Sequence, residues 1–268
     1  MKFNVLGVWL TGSTLPEVVR TMLEWVKQSE RRYVTAFAAE SVLKCVDSPH
    51  LMNMVNGADM VFTDGMTLVT LGRIFAKLDI GRCYGPDVMI HTVKEGCAQG
   101  VRHYFYGGAN EGGLDKLDKN FSSQFPGFIM AGRYSPPYRP LTDEEKAFVV
   151  SDIRKSRADI VWVGIGTPKQ DYWIGEFHNL VDVPIMAAVG AAFNFHAGLV
   201  RQAPSWMMRN GLEWFFRLCA EPRLWRRYVF GNPRFIFLVL KQWLTGHPVR
   251  LGEKKSEGEG EMTMKNEE

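Results

Sequence analysis

Gly57-Ala-Asp-Met-Val-Phe-Thr-Asp-Gly65 and Arg157-Ala-Asp-Ile-Val-Trp-Val-Gly-Ile-Gly166 decide the fold, because each is a short apolar run that ends in small or polar residues. Runs of this length bounded by turn formers read as buried strands. Working outward, similar runs occur at Tyr33 to Phe37, His103 to Gly107, Phe128 to Gly132 and Pro184 to Val189, with segments of helical length and period between them. One helix is explicit from about Leu15 to Gln28: Thr14 and Glu17 have capping-box spacing, Pro16 falls in the first turn, and Val18, Val19, Met22, Leu23 and Val26 form one face. Strands alternating with helices predict an α/β fold with a doubly wound, mostly parallel, Rossmann-like sheet. The two quoted strands also mark the sheet's carboxyl edge, outside which ligands bind in open α/β folds.

The 268 residues lie near the upper limit of one hydrophobic core, roughly 250 to 300 residues. The sequence divides into a sheet domain over 1–198, a basic aromatic helical appendage over 199–250 with breaks near Pro222 and Asn232-Pro233, and a Glu-, Lys- and Gly-rich tail over 251–268 that reads as disordered. Cys45, Cys83, Cys97 and Cys219 are scattered without a CxxC pair, and Met1 to Leu10 is too short and weakly charged for a secretory leader, so a reducing cytoplasm is expected. The apolar run Phe235 to Leu240 falls far short of the roughly 20 residues that span a bilayer.

Charge is unevenly placed. The net +3 hides a segment, 201–250, carrying +7, against −3 in the tail and −1 over the first 200 residues. That segment also holds Trp206, Trp214, Trp225 and Trp243 among Arg201, Arg209, Arg217, Arg223, Arg226, Arg227 and Arg234. Interleaved cations and amphipathic aromatics suit anionic lipid headgroups, and some of these arginines suit bidentate contacts to a diphosphate. The alternative is a solvated helical face.

Three places at the sheet edge carry chemistry. Asp64, directly after an apolar strand, is either a general base for an incoming hydroxyl or the cap of a helix beginning near Met66. Gly107-Gly108-Ala109-Asn110-Glu111-Gly112-Gly113 opens a helix after a strand and suits a phosphate, although it is not a full GxGxxG and no Walker lysine follows. At Gly164-Ile165-Gly166-Thr167-Pro168-Lys169-Gln170, Pro168 begins a helix and Gln170 offers an amide to a sugar or base. His196 reads as a packed or surface histidine. No metal-ligand spacing or Asp-x-Asp pair occurs, which predicts no metal and no cofactor.

Several further motifs occur in one order: Val34-Thr35, Thr63-Asp64-Gly65, Arg82 with Gly85-Pro86-Asp87, Gly164-x-Gly-x-Pro168-x-Gln170, Val189-Gly190-Ala191-Ala192-Phe193 and Gln202-Ala203-Pro204-x-Trp206, then Gly211-Leu212-Glu213-Trp214, Glu221-Pro222-Arg223 and Arg226-Arg227-Tyr228. The ordered set, spanning about Phe3 to Gly246, resembles the WecG/TagA/CpsF glycosyltransferases, glycosyltransferase family 26. The resemblance implies the GT-E type of fold and an inverting, metal-independent enzyme. It would take a UDP-sugar and a polyprenyl-diphosphate-linked sugar, serve exopolysaccharide or cell-surface glycan synthesis, and sit peripherally on the inner face of the cell membrane. By motif match Asp64 becomes the base and Thr35 its neighbour. Gly107, Gly108, Asn110, Tyr134, Gly166, Pro168, Gln170 and Asn194 make the donor-binding set. Arg82, Arg217, Arg223 and Arg226 or Arg227 face the acceptor diphosphate.

Two positions depart from the family pattern: Phe37 stands where Asn is common, and Asn194 where Asp is common. Phe37 cannot make an amide's hydrogen bonds, and Asn194 presents a donor as well as an acceptor. Two rival readings share some of these features. A dinucleotide-dependent oxidoreductase needs a full GxGxxG near its first strand, and Gly7 to Leu15 lacks it. A basic nucleic-acid-binding or nucleotide-dependent protein without transferase activity would also carry an Arg- and Trp-rich segment. No nucleic-acid partner is expected.

Overall fold

The computed structural model describes residues 1–108, 110–209, 211–220, 225, 227–245 and 251–252. Its strands, in chain order, are β1 Lys2–Val5, β2 Val8–Thr11, β3 Arg32–Phe37, β4 Met60–Thr63, β5 Arg102–Gly107, β6 Ile129–Tyr134, β7 Ile160–Gly164, β8 Ile185–Ala188 and β9 Leu251–Gly252. They form one sheet in the order β6-β5-β7-β8-β3-β4-β2-β1-β9. From β6 to β2 every pairing is parallel, and β1 pairs antiparallel with β2 and β9. The predicted α/β, doubly wound, mostly parallel sheet is therefore present, with a strand within each of the two opening runs and at each of the other four predicted places.

Both faces of the sheet are covered, as parallel strands require. On one face Tyr33, Phe37, Tyr104, Tyr106, Val161 and Val163 pack beneath α2 Ala39–Asp47, α3 Pro49–Asn56, α4 Met66–Ile74, α7 Asp143–Ser156 and α8 Lys169–Phe177. On the other, Val34, Phe62, Phe105, Ile160 and Trp162 pack against α1 Leu15–Gln28, α5 Gly85–Gly96, α6 Glu111–Gln124 and α9 Ala192–His196. Helix α1 has the predicted bounds; the Glu17 carboxylate accepts from the Thr14 amide at 2.7 Å and the Thr14 hydroxyl at 2.9 Å.

The β1–β2 hairpin is an addition to the sequence reading. Phe3, Val5, Val8 and Leu10 are buried in alternation, and Leu6 and Gly7 both take positive φ (52° and 92°) in the two-residue turn, the geometry that matches strand twist in a hairpin.

The C-terminal helical part comprises α10 Ser205–Arg209, α11 Glu213–Ala220, a π-helical turn over Arg227–Gly231 and α12 Asn232–Leu244. The expected break at Asn232-Pro233 is the start of α12, whereas Pro222 lies outside the described residues. Helix α12 docks on the sheet domain. Phe235 and Val239 enter the first core, Gln242 Oε1 accepts from the Leu6 amide at 2.9 Å, and Arg234 pairs with Asp47. One expectation needs correction at its start: Leu251 and Gly252, assigned to a disordered tail, pair with Phe3 and Lys2. An open β1 edge offers unpaired backbone groups that capture such a segment. The rest of the tail, 253–268, lies outside the described residues. Among the described residues no helix is long and apolar enough to cross a membrane.

One core residue makes the fold acid-sensitive. His103 is fully buried and stacked near Phe128 and Trp162, and its Nδ1 accepts from Trp162 Nε1 at 3.1 Å. Burial pushes its imidazole from 6.5 down to about 3. The folded state therefore stays neutral where the unfolded chain takes a proton, so stability is complete above pH 6.5 and drains as pH falls towards 3. Urea unfolding of the wild type should lose about 1.4 kcal/mol per pH unit below 6.5 relative to His103→Phe; parallel pH profiles for the two proteins would contradict this.

Candidate active site

The carboxyl ends of β4, β5, β7 and β8 and the helices that follow them define the site, and glycine permits their close approach. A Cβ on Gly107 would meet the Gly164 backbone at 2.7 Å, and Gly107 and Gly108 take φ of 132° and 87°. A Cβ on Gly85 would meet the Val189 carbonyl oxygen at 2.9 Å, which lets the first turn of α5 press against the end of β8. The edge is thus closed by backbone contact, with little side-chain bulk between strands.

Asp64 sits where β4 ends. Its amide donates to the Phe37 carbonyl at 2.8 Å, and its Oδ1 accepts from the Gly85 amide at 2.7 Å. The capping alternative is therefore corrected in its partner. Gly65 is the N-cap of α4, and the Asp64 carboxylate instead meets the N-terminus of α5, 21 residues along the chain. An ionised carboxylate suits that place, because free amides and the helix dipole both favour negative charge. Arg82 crosses behind it: Nε donates to the Asp64 carbonyl at 2.7 Å, the guanidinium carbon lies 4.2 Å from the Tyr84 ring centroid, and Nη2 meets Glu213 Oε2 at 2.5 Å. Tyr84 donates its hydroxyl to Glu213 Oε1 at 3.1 Å.

Glu213 is the first residue of α11, so the C-terminal helical part reaches this sheet edge. From the same helix the Arg217 guanidinium lies 5.8 Å over the Phe195 ring, and Phe195 packs against Tyr84 at 6.2 Å. Asp64, Arg82 and Arg217 are thereby gathered in one region. Arg223 and Arg226 lie outside the described residues, and Arg227 is described only as backbone in the π-helical turn.

The other expected contacts take several places. Gln170 is 1% exposed and already engaged: its Oε1 accepts from the Gly190 amide at 3.0 Å and its Nε2 donates to Thr167 Oγ1 at 3.2 Å. It clamps the loops after β7 and β8, in place of the direct sugar contact expected. Thr35 is also fully buried. The two-residue strand period turns Tyr33, Thr35 and Phe37 towards the first core, and both the Thr35 and Tyr33 hydroxyls donate to Asp171 Oδ1, at 2.9 and 2.8 Å. Phe37 is core, and only its carbonyl reaches the site, accepting from Asp64.

Asn110 caps α6, its side chain accepting from the Gly113 amide at 2.9 Å. Gly166 (φ 81°) and Pro168 shape the loop into α8. Asn194 lies in α9, and its backbone carbonyl accepts from the Leu199 and Val200 amides. Tyr134 is farthest from Asp64. It ends the outermost strand β6, five strand spacings or about 24 Å from β4, and stacks on Tyr106 at 5.9 Å. His196 is packed as expected, bonded to the Pro86 carbonyl at 2.8 Å, and burial lowers its pKa. Among the described residues no three His, Cys, Asp or Glu side chains gather as metal ligands. A separate groove of about 610 Å³, lined by Tyr33, His50, Asp59, Tyr172, Glu176 and His178, lies towards the amino ends of β3 and β4, away from this edge.

Sequence reasoning missed Asp171, Tyr84 and the role of Glu213. Asp171 adjoins Gln170 and offered no signal beyond that adjacency. It is fully buried, and burial raises its pKa against the opposing pull of the Tyr33 and Thr35 hydroxyls. A carboxyl whose folded pKa is raised contributes stability below the ordinary aspartate range and loses it as pH rises. Asp171→Asn should accordingly melt no lower than wild type at pH 7, with the difference shrinking towards pH 4. Asp171→Leu, which orphans two buried hydroxyls, should lose about 1 to 3 kcal/mol for each. Equal melting of the Leu variant and wild type would refute the contribution of these two hydrogen bonds.

Comparison with known proteins adds to this geometry. The sequence model described as "Glycosyl transferase WecG/TagA/CpsF family" matches residues 3–248. A Bacillus spizizenii protein named N-acetylglucosaminyldiphosphoundecaprenol N-acetyl-beta-D-mannosaminyltransferase is 27% identical over 217 residues, covering 81% of this chain and 82% of that protein. A Bacillus subtilis protein of the same name is 25% identical over 240 residues, covering 87% and 91%.

Proposed function

The chain belongs to the WecG/TagA/CpsF family of glycosyltransferases, and from that premise we propose that it moves a hexose or N-acetylhexosamine from a UDP-sugar onto a polyprenyl-diphosphate-linked sugar, with inversion and without a metal. The observation that carries this reading is the meeting of Asp64, Arg82 and the start of α11 at one sheet edge. The names of the two Bacillus relatives specify a sugar diphosphate on a polyprenol as acceptor, which supports the same acceptor class here.

In this mechanism Asp64 takes the proton of the acceptor hydroxyl. The hydroxyl oxygen forms a bond to the anomeric carbon from the face opposite UDP, the bond from that carbon to the diphosphate oxygen breaks, and UDP leaves with the electron pair. A carboxylate is a weak base, so Asp64 acts by position and late in the displacement. Arg82 and Arg217 supply fixed positive charge for the diphosphates, and the turn at Gly166, where a Cβ would meet nothing within 4 Å, leaves room for a ligand beside the backbone.

The acceptor cannot leave its bilayer, so the protein must come to it. Helix α12 is apolar on both sides. Phe235 and Val239 face inward, while Ile236, Phe237, Leu240, Trp243 and Leu244 form an exposed stripe; Phe237 is 66% and Leu244 75% exposed. Arg234 and Lys241 lie on the same helix. Such a helix suits peripheral binding to an anionic membrane, here the inner face of the cell membrane, in synthesis of an exopolysaccharide or other surface glycan.

Asp64→Asn should keep the fold and donor binding yet lose about 10² to 10⁴ in turnover; near-normal turnover would remove Asp64 from the role. Phe237→Glu with Leu240→Glu should abolish sedimentation with anionic vesicles while sparing turnover on a short-chain, water-soluble acceptor. Undiminished sedimentation would place the membrane contact elsewhere.

A further inference from the structure

The basic C-terminal segment carries one described carboxylate, and it occupies a specific seat. Glu213 directs Oε2 to Arg82 Nη2 at 2.5 Å and Oε1 to the Tyr84 hydroxyl at 3.1 Å, so both oxygens are used. Its side chain is 13% exposed and that of Arg82 17%. A pair this withdrawn from water is poorly screened, and removing one partner strands the other's charge. A surface ion pair formed by chance would be neither so buried nor shared with a phenol.

The contact also lies on a short path. Arg82 is held at three points: by Glu213, by the face of Tyr84 and, through Nε, by the backbone carbonyl of Asp64. Asp64 in turn fixes the Gly85 amide, the residue after Tyr84. A closed loop of contacts therefore runs from Glu213 through Arg82 to Asp64, on to Gly85, and back through Tyr84. On the other side, the residues after Glu213 are Trp214 and Phe215, 43% and 51% exposed. One residue thus joins the helix that presents aromatic surface to the strand end that carries the base.

We propose that Glu213 is a positioning residue, pinning α11 to Arg82 and Tyr84 so that the seating of the C-terminal helical part and the placement of Asp64 are one event. It touches neither reacting atom. Its effect on transfer is exerted through the backbone carbonyl of Asp64 and the orientation of the Arg82 guanidinium. The inference rests on the proposed glycosyl transfer for its kinetic consequence, and on geometry alone for its structural one.

The test uses the full chain and compares wild type, Glu213→Gln and Glu213→Asp. Hydrogen exchange of peptides covering residues 64–66 and 83–85 is expected to quicken in Glu213→Gln, with exchange in β5 and β7 unchanged. With a UDP-sugar and a short-chain polyprenyl-diphosphate sugar, Glu213→Gln should lower kcat by about tenfold to a hundredfold, the scale of a small misplacement, and leave the donor KM unchanged. Glu213→Asp, which keeps the charge, should recover part of that loss. Wild-type exchange rates in Glu213→Gln would overturn the pin whether or not turnover is observed. A rise in kcat would overturn it too, since Glu213 would then be blocking Arg82. Wild type that makes no product would count against glycosyl transfer, while the exchange data would still decide the pin.

Discussion

The Gly85 amide hydrogen bond to Asp64 Oδ1, 2.7 Å long, is the contact on which the rest of the site depends. A carboxylate at a strand end rotates freely unless something fixes it, and the role proposed for Asp64, a base acting by position, requires it to be fixed. Here the fixing group is the first amide of α5, a helix brought so close to β8 that a Cβ at position 85 would press on the Val189 carbonyl. The chain then continues through Gly190 to Gln170 and Thr167. Polar links of this kind, each satisfied inside the protein, join the ends of β4, β7 and β8 into one rigid edge.

The C-terminal helical part answers a different physical demand. A helix with apolar residues on two sides has one side to bury in the protein and one to bury elsewhere. In α12 the inward side is settled by Phe235 and Val239 within the core. Its outward stripe is larger than a scatter of single exposed apolar residues, and contiguous apolar surface marks contact with a partner or membrane. Attachments among the described residues hold this part in place, among them α12 to the β1–β2 hairpin and α2, and α11 to Arg82 and Tyr84. The α11 contact reaches the region of Asp64, so a surface event on this part has a physical route to that carboxylate.

Much of the fold was legible because buried parallel strands leave apolar runs and their carboxyl ends leave glycine and aspartate. The β1–β2 hairpin was not read, since its turn residues Leu6 and Gly7 lack the Asn-Gly signature and its strands are four residues each. For Asp64 the residue was legible and its partner was not, because a bond spanning 21 residues depends on how α5 packs. Gln170 and Thr35 illustrate the limit of motif reasoning: residue type and order survive whether a side chain contacts ligand or braces the residues that do. Only burial separates those roles, and here both side chains are buried and internally bonded. Glu213 escaped because one of two acids in a segment of +7 charge vanishes into the sum, although its partner Arg82 was already among the expected site residues.

The most direct measurement is product analysis by mass spectrometry. The protein would be given one UDP-sugar at a time with a short-chain polyprenyl-diphosphate N-acetylglucosamine, and UDP release would be quantified alongside. One donor should yield a lipid product heavier by a single sugar residue, with UDP formed in equal amount and a new glycosidic bond of inverted anomeric configuration. Release of UDP without any lipid-linked product, or a product with retained configuration, would contradict the account.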